Sequence, residues 1–382
     1  MPVIHQVTSV SFTFFKFVEP LCLVLHQSGI TVHASFAPDA SLEYLPGYIE
    51  YFPVSILRST RPRSIFISLR SIYRLLSSVS TDVFHVHTPV ASYLLRSLLL
   101  FPNFRRKVIY TVHGFYFHSR MNPLVFSLHF LVEYILSFRT SLMLFVSKED
   151  YEFARRFFWF SPSEMSYVGN GVDTVAFSPA TPEARKKARS SFGILPSDYV
   201  IGFVGRLVSE KGLTYLLKSF MQLLPLFPFV KLLIVGSTLE SDYDHSLSHD
   251  ILALSHDYPG RIVATGMIND IPRLITTYHS MDCFCLPSLR EGLPTSLIEA
   301  MACGLPCIAS DIRGCNQLIE NHVNGLLVTP GSHGSLTSAI SRLITDQALS
   351  YSFSFNARKT ALKDYDIRRV CLNTRSLISN FI

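Results

Sequence analysis

Residues 283–310 read CFCLPSLREGLPTSLIEAMACGLPCIAS. The run CFCLPS is short, apolar and strand-like. LREGLP is a loop, and TSLIEAMAC is a helical stretch. Gly304 stands where a helix commonly ends in the left-handed conformation, and PCIAS is a second apolar strand. This is one strand–helix–strand unit. Both strands are apolar throughout, as strands covered on both faces are, so the unit belongs to a parallel sheet.

The same alternation extends in both directions. Strands are read at VIHQVT (3–8), ITVHASF (30–36), VFHVHT (83–88), KVIYTVH (107–113) and SLMLFVS (141–147), with helical stretches near 12–28, 62–79, 90–100 and 122–138. They recur at VIGFVGR (200–206), KLLIVGS (231–237), RIVATGM (261–267) and GLLVTP (325–330). Between the two sets, residues 170–198 lose the alternation and collect Pro, Ser and charge, which reads as a linker and a lead-in to a second sheet. The expected architecture is α/β: two facing, doubly wound, Rossmann-like domains, 1–172 and 173–362. A C-terminal helix, 363–382, packs back on the first domain. Ligands of such sheets sit at the carboxyl ends of the strands, so the interdomain cleft is the expected site.

Composition narrows the function. The chain has 382 residues, 48% hydrophobic and 16% charged, which argues for an ample core and against long disorder. The net charge of +6 is mild, and no nucleic-acid reading motif is present, so no nucleic-acid partner is expected. Seven cysteines without paired spacing read as reduced, buried thiols and a cytoplasmic location. Residues 121–146 are very apolar, but His129, Glu133 and Arg139 interrupt them, so a buried helix and strand fit better than a membrane span.

Two motifs can carry chemistry. VGRLVSEKG (204–212) follows a strand and precedes a helix. Gly205 allows a tight turn, while Arg206 and Lys211 at a helix N-terminus suit a diphosphate; the other reading is a solvated loop. In the opening stretch, Glu291 lies in the loop at a strand's carboxyl end and Glu299 in the first turns of the helix. Carboxylates accept from sugar hydroxyls. Glu299 also completes Ser296-x-x-Glu299, a capping box, so cap and ligand readings both stand.

Taken together, these motifs resemble family 4 glycosyltransferases of the GT-B fold, in particular enzymes of bacterial surface-polysaccharide assembly. The family's E-x(7)-E stands as Glu291…Glu299, and its G-R-x(4)-K-G as Gly205, Arg206, Lys211 and Gly212. NGVD stands at 170–173 and NGLLV at 324–328. The resemblance implies a retaining transferase of hexoses, with 1–172 binding the acceptor and 173–362 the nucleotide sugar. It gives Arg206 and Lys211 the leaving diphosphate of a UDP- or GDP-sugar, Glu299 the ribose and Glu291 the transferred sugar. Gly292, Leu293, Pro294 and Thr295 then offer backbone groups near sugar and diphosphate. His113, in TVHGFYFH, meets the donor from the first domain. No metal or other cofactor is expected, since cations and a helix dipole do that work.

Other signals concern the first half. His85 and His87 share one face of a strand; they read as satisfied polar groups or as binding residues, and with His113 and His118 as a conceivable zinc site. The loop TSVSFTFFKFVEPL lacks the glycine pair of many relatives, so either the backbone approach is looser there or Ser9 and Ser11 offer hydroxyls instead. The DYD triplets at 242–244 and 364–366 read as solvated acids. Between Glu50 and Asp82 lie Arg58, Arg61, Arg63, Arg70 and Arg74 and no acid. Arg105, Arg106 and Lys107 form a second cluster, and Arg155 and Arg156 precede Phe157, Phe158 and Trp159. This basic face is read either as ordinary solvated surface or as peripheral docking on the inner, anionic face of the cytoplasmic membrane, which would bring a polyprenyl-linked or glycan acceptor. Two rival functions are a sugar-nucleotide epimerase or phosphorylase of the same fold and an inactive membrane-bound scaffold of a polysaccharide complex. A nicotinamide-dependent dehydrogenase is disfavoured, because no G-x-G-x-x-G follows the first strand of either half.

Overall fold

Two wholly parallel sheets organise the chain in the computed structural model, which describes residues 1–57, 59, 61–101, 104, 106–117, 121–158, 165–238 and 246–382. Arg58, Arg105, His118, Trp159 and the DYD at 242–244 lie outside these residues. The chain divides into a first unit, Met1–Asn170 with Arg368–Ile382, and a second, Gly171–Ile367.

The first unit contains β1 (Val3–Val10), a helical turn α1 (Ser11–Thr13), α2 (Glu19–Gln27), β2 (Thr31–Ala37), β3 (Ile49–Tyr51) and α3 (Pro62–Ser78). These are followed by β4 (Val83–His87), α4 (Pro89–Leu98), β5 (Lys107–Val112), α5 (Pro123–Ser137), β6 (Leu142–Phe145), α6 (Lys148–Phe157) and β7 (Met165–Tyr167). Its sheet order is β3-β2-β1-β4-β5-β6-β7. The winding reverses between β1 and β4. Right-handed crossovers therefore place α3, α4 and α5 side by side on one face. Their apolar sides (Ile72, Leu75, Leu95) cover Val7, Phe84, Val86, Tyr110 and Val112.

The second unit runs α7 (Pro182–Ser191), β8 (Tyr199–Val204), α8 (Leu213–Leu223), β9 (Val230–Val235), α9 (Ser246–Asp257), β10 (Ile262–Ala264), α10 (Ile271–Ser280) and β11 (Cys283–Leu286). It continues with α11 (Thr295–Ala302), β12 (Cys307–Ser310), α12 (Cys315–Leu318), β13 (Leu326–Val328), α13 (His333–Thr345) and α14 (Gln347–Asp364); α15 (Ile367–Ile378) then re-enters the first unit. The sheet order is β10-β9-β8-β11-β12-β13, and here the winding reverses between β8 and β11.

Three features depart from the sequence reading. The helix expected over 12–28 is interrupted by a π-helical turn, Phe14–Val18, ahead of Pro20, whose ring cannot continue the hydrogen-bond ladder. The edge strands β3 and β7 are three residues each, too short for a periodic signal. The stretch 170–198 contains a full helix, α7, where Arg185 and Arg189 both bind Asp282 just before β11. The seven cysteines are buried and none is in a disulfide.

Candidate active site

A ligand of a doubly wound sheet sits at the strands' carboxyl ends, where the winding reverses. In the second unit that point is the crevice between β8 and β11. β8 leads through Gly205 and Arg206 into a tight turn, Ser209–Lys211, and then into Gly212, the N-cap of α8. β11 leads through Pro287 and Ser288 to Glu291. Lys211 Nζ lies 2.7 and 2.9 Å from the two carboxylate oxygens of Glu291, and Ser288 Oγ donates to Glu291 Oε1 at 2.7 Å. The Glu291 side chain is 7% exposed and that of Lys211 21%. A nearly buried carboxylate is retained because it is both paired and hydrogen-bonded.

Glycines hold the two loops together. Gly212 has φ +69°, and a Cβ there would lie 1.9 Å from the Pro287 carbonyl oxygen. Gly314, before α12, has φ +82°, and its Cβ would lie 2.0 Å from the Gly292 carbonyl oxygen. The 287–292 loop is thus gripped from two sides by backbones that only glycine allows to approach so closely. Leu289 N–H donates to the Glu210 carbonyl at 2.8 Å, which adds a third tie.

The expected site residues fall as follows. Lys211 and Glu291 touch. Arg206 is exposed, two residues beyond β8. Gly205 N–H donates to Val235 O at 3.0 Å, which ties its loop to β9. Gly292 is half-buried, Leu293 and Pro294 are buried, and Thr295 opens α11. Glu299 is 4% exposed and accepts from the Tyr278 hydroxyl of α10 at 2.8 Å. The capping box is not formed. α11 begins at Thr295 with Pro294 as its N-cap, so Ser296 is already inside the helix, and Glu299 turns to Tyr278.

In the first unit the reversal lies between β1 and β4, and the groups there are mostly uncharged. His87 Nε2 meets Gln6 Oε1 at 2.9 Å, and its Nδ1 meets His113 Nε2 at 3.3 Å. His85 Nε2 meets Thr111 Oγ1 at 2.7 Å. Burial lowers all three imidazoles: His85 to about 3, His113 to about 4 and His87 well below its ordinary value. The amide atom that Gln6 presents sets the tautomers of His87 and His113 together, and His113 Nδ1 is left at the end of the line to accept from or donate to a hydroxyl. The Phe17 ring lies 5.5 Å from that of His113.

The expected role of Ser9 and Ser11 needs correcting. Both are buried and engaged internally, Ser9 with Thr88 Oγ1 at 3.0 Å and Ser11 with Asp39. Thr88 has φ +68°, a strained value for a β-branched residue, at the carboxyl edge of β4. The second DYD is also structural: Asp366 accepts from Thr174, beside the Val172–Asp366 bridge.

Sequence reasoning missed Ser288, Gly314, Tyr278 and Gln6. Gly314, alone between a strand and a short helix in IASDIRGCN, carried a readable signal. The other three carried none.

Residues 184–360 match the family Glycosyl transferases group 1, and residues 16–176 match Glycosyltransferase Family 4. The chain is 30% identical over 303 residues to the Escherichia coli UDP-Gal:alpha-D-GlcNAc-diphosphoundecaprenol alpha-1,3-galactosyltransferase, covering 78% of this chain and 76% of that protein. Sucrose-phosphate synthase from Thermosynechococcus elongatus superposes with a TM-score of 0.83 at 19% identity, over 100% of this chain and 99% of that one. HepE from Anabaena, solved with UDP, superposes with a TM-score of 0.79 at 21% identity, over 100% of both chains. At such identities the structural likeness speaks to fold alone, and that fold is GT-B.

Proposed function

We propose, because the chain belongs to the family 4 glycosyltransferases and so acts on nucleotide sugars, that it moves a hexose from a UDP- or GDP-sugar to a polyprenyl-linked or glycan acceptor with retention of configuration. The observation that carries this reading is the Lys211–Glu291 pair at the β8/β11 reversal. Without donor, ammonium and carboxylate satisfy one another, so neither charge is left buried alone. An arriving diphosphate gives Lys211 a second anion, joined by Arg206, while Glu291 keeps Ser288 and takes hydroxyls of the sugar. Gly205 lets the backbone come close to the phosphates. The loop Gly292–Leu293–Pro294–Thr295 leads sugar and diphosphate to the α11 N-terminus, whose dipole favours the anion. Glu299, already held by Tyr278, takes the ribose.

As the glycosidic bond to phosphate breaks, the leaving oxygens gain charge, and Lys211 and Arg206 stabilise it without a metal. The acceptor hydroxyl attacks from the departing side, and its proton passes to a leaving phosphate oxygen. His113 orients a sugar hydroxyl through its Nδ1. The acceptor class rests on the Escherichia coli relative, whose name specifies a diphosphoundecaprenol substrate. Such a lipid requires access to a membrane. None of the described helices is long and apolar enough to cross one. Because of that acceptor class, we place the enzyme peripherally, on the inner face of the cytoplasmic membrane.

A thermal-shift series with UDP, GDP and their sugars tests the donor site. The matching nucleotide at a hundredfold excess over Kd stabilises by about 2.7 kcal/mol. Lys211→Ala removes that shift, and either Lys211→Ala or Glu291→Ala lowers transfer by roughly 10²–10³-fold. Wild-type binding and transfer in both variants would overturn the assignment.

A further inference from the structure

Helix α5 of the first unit carries its polarity inside out. Its one charged residue, Glu133, is completely buried against Arg96 of α4, itself completely buried, at 2.6 Å. The outward positions Leu124, Leu128, Leu131, Ile135 and Phe138 are spaced four, three, four and three residues apart, one continuous stripe. They are 82, 60, 52, 47 and 61% exposed. Amphipathic surface helices have the opposite arrangement, and a contiguous apolar stripe of this length marks an interaction surface.

Charge around the stripe identifies the partner. At its Phe138 end, Arg106, Lys107 and Arg139 line one shallow recess together with Phe138. α4 packs between α5 and α3. On α3 the exposed residues include Arg63, Arg70 and Arg74 beside Ile65, Phe66, Ile67 and Tyr73, with no acid on that helix. The surface is therefore an apolar ridge with cations at its Phe138 end and on α3, while α6 on its other side, packed against Phe130, carries Lys148, Arg155 and Arg156 together with Glu149 and Glu152. A two-fold contact with a second copy would set these cations against their own kind. An anionic lipid surface complements both the ridge and its border. At 15 residues, α5 is about 22 Å long, short of the roughly 30 Å hydrocarbon thickness, so it lies in the interface and does not cross it.

We propose that α5 is an interfacial anchor: its Leu124–Phe138 stripe inserts among the acyl chains of an anionic bilayer, while Arg106, Lys107, Arg139 and the α3 arginines hold headgroup phosphates. α5 follows β5 directly and runs back along it. Its Leu124 end thus stands at the carboxyl edge of the sheet, the same edge as His113. The inference deepens the glycosyltransfer reading by naming the surface that presents the acceptor, and it rests on that reading only for this purpose.

The test is co-sedimentation of the full chain with phosphatidylcholine vesicles containing 30% phosphatidylglycerol, and with phosphatidylcholine alone, at 0.1 and 0.5 M NaCl. Wild type pellets with the anionic vesicles and keeps part of that binding at high salt, because the stripe contributes an apolar component. Leu128→Glu/Leu131→Glu, at exposed positions that leave melting unchanged, weakens partitioning at least tenfold. Arg106→Gln/Arg139→Gln loses only the salt-sensitive part. Absence of wild-type binding, or undiminished binding by Leu128→Glu/Leu131→Glu, overturns the proposal. So does sedimentation equilibrium showing a dimer that the same variant dissolves, which would give the stripe to a second copy. Thermal shift with UDP on the same samples separates the two readings. A chain that binds nucleotide but no vesicle loses the anchor alone, and one that binds vesicles but no nucleotide keeps the anchor and loses the donor site.

Discussion

At the β8/β11 reversal two left-handed glycines touch the carbonyls of the opposite loop, and a lysine and a glutamate close the gap between them. At the β1/β4 reversal no glycine plays that part. A serine–threonine contact, a strained Thr88 and the line Gln6–His87–His113 occupy the equivalent edge. One site is shaped by backbone contact around a charge pair, the other by buried neutral side chains. The first is vulnerable to added atoms and the second to added protons.

The first unit is most sensitive to charge at its buried Arg96–Glu133 pair. Glu133→Leu leaves Arg96 buried without its carboxylate, and stability falls by about 3–5 kcal/mol. Adding Arg96→Met restores most of it, since an apolar pair of similar volume tolerates the site. Chemical denaturation of the single and double variants measures both. In the second unit, Gly314→Ala forces a side chain into the left-handed region and against the Gly292 carbonyl. A loss of about 1–3 kcal/mol is expected, with weaker nucleotide binding, read by melting and thermal shift.

Acid separates the two units next. His5 and His85 are lowered to about 3 and His87 well below 6.5, each by burial. The unfolded chain binds their protons near 6.5. Their contribution is therefore full above that pH and is lost as pH falls toward the folded values. Each costs about 1.4 kcal/mol per pH unit through that window. Hydrogen-exchange protection at pH 7, 6 and 5, taken relative to the intrinsic exchange rate at each pH, should fall in peptides of β1, β4 and β5 before those of β8 and β11. The smallest effect belongs to Tyr278→Phe. Glu299 loses one hydrogen bond, stability drops by about 1 kcal/mol, and nucleotide affinity falls several-fold by calorimetry.

The unequal construction also explains what could be read from the sequence alone. Lys211, Glu291 and the glycines beside them stand in strand-to-helix loops of the second unit, where each has a local reason to be noticed. The parallel order was legible because short strands rich in apolar and β-branched residues alternate with helical stretches along the chain. The first unit's polar edge was not. Gln6 and His87 are 81 residues apart and meet only through the β1–β4 register. The capping box failed because Pro294, one residue ahead of the apparent start, takes the N-cap and draws Ser296 into the helix. The stripe on α5 was hidden for a related reason. A sequence so rich in apolar residues gives no hint that its lone glutamate faces inward while Leu124, Leu128 and Leu131 face out.

The paired glycines at 212 and 314 limit how this enzyme could change its diet. With Pro287 and Gly292 held at their carbonyls, the main chain that would frame a sugar has almost no freedom to be redrawn by mutation. New donor preferences would have to come from exchanges of outward side chains such as Leu289, Arg290 and Thr295. Laboratory evolution toward a different sugar should therefore collect its changes there and leave both glycines untouched.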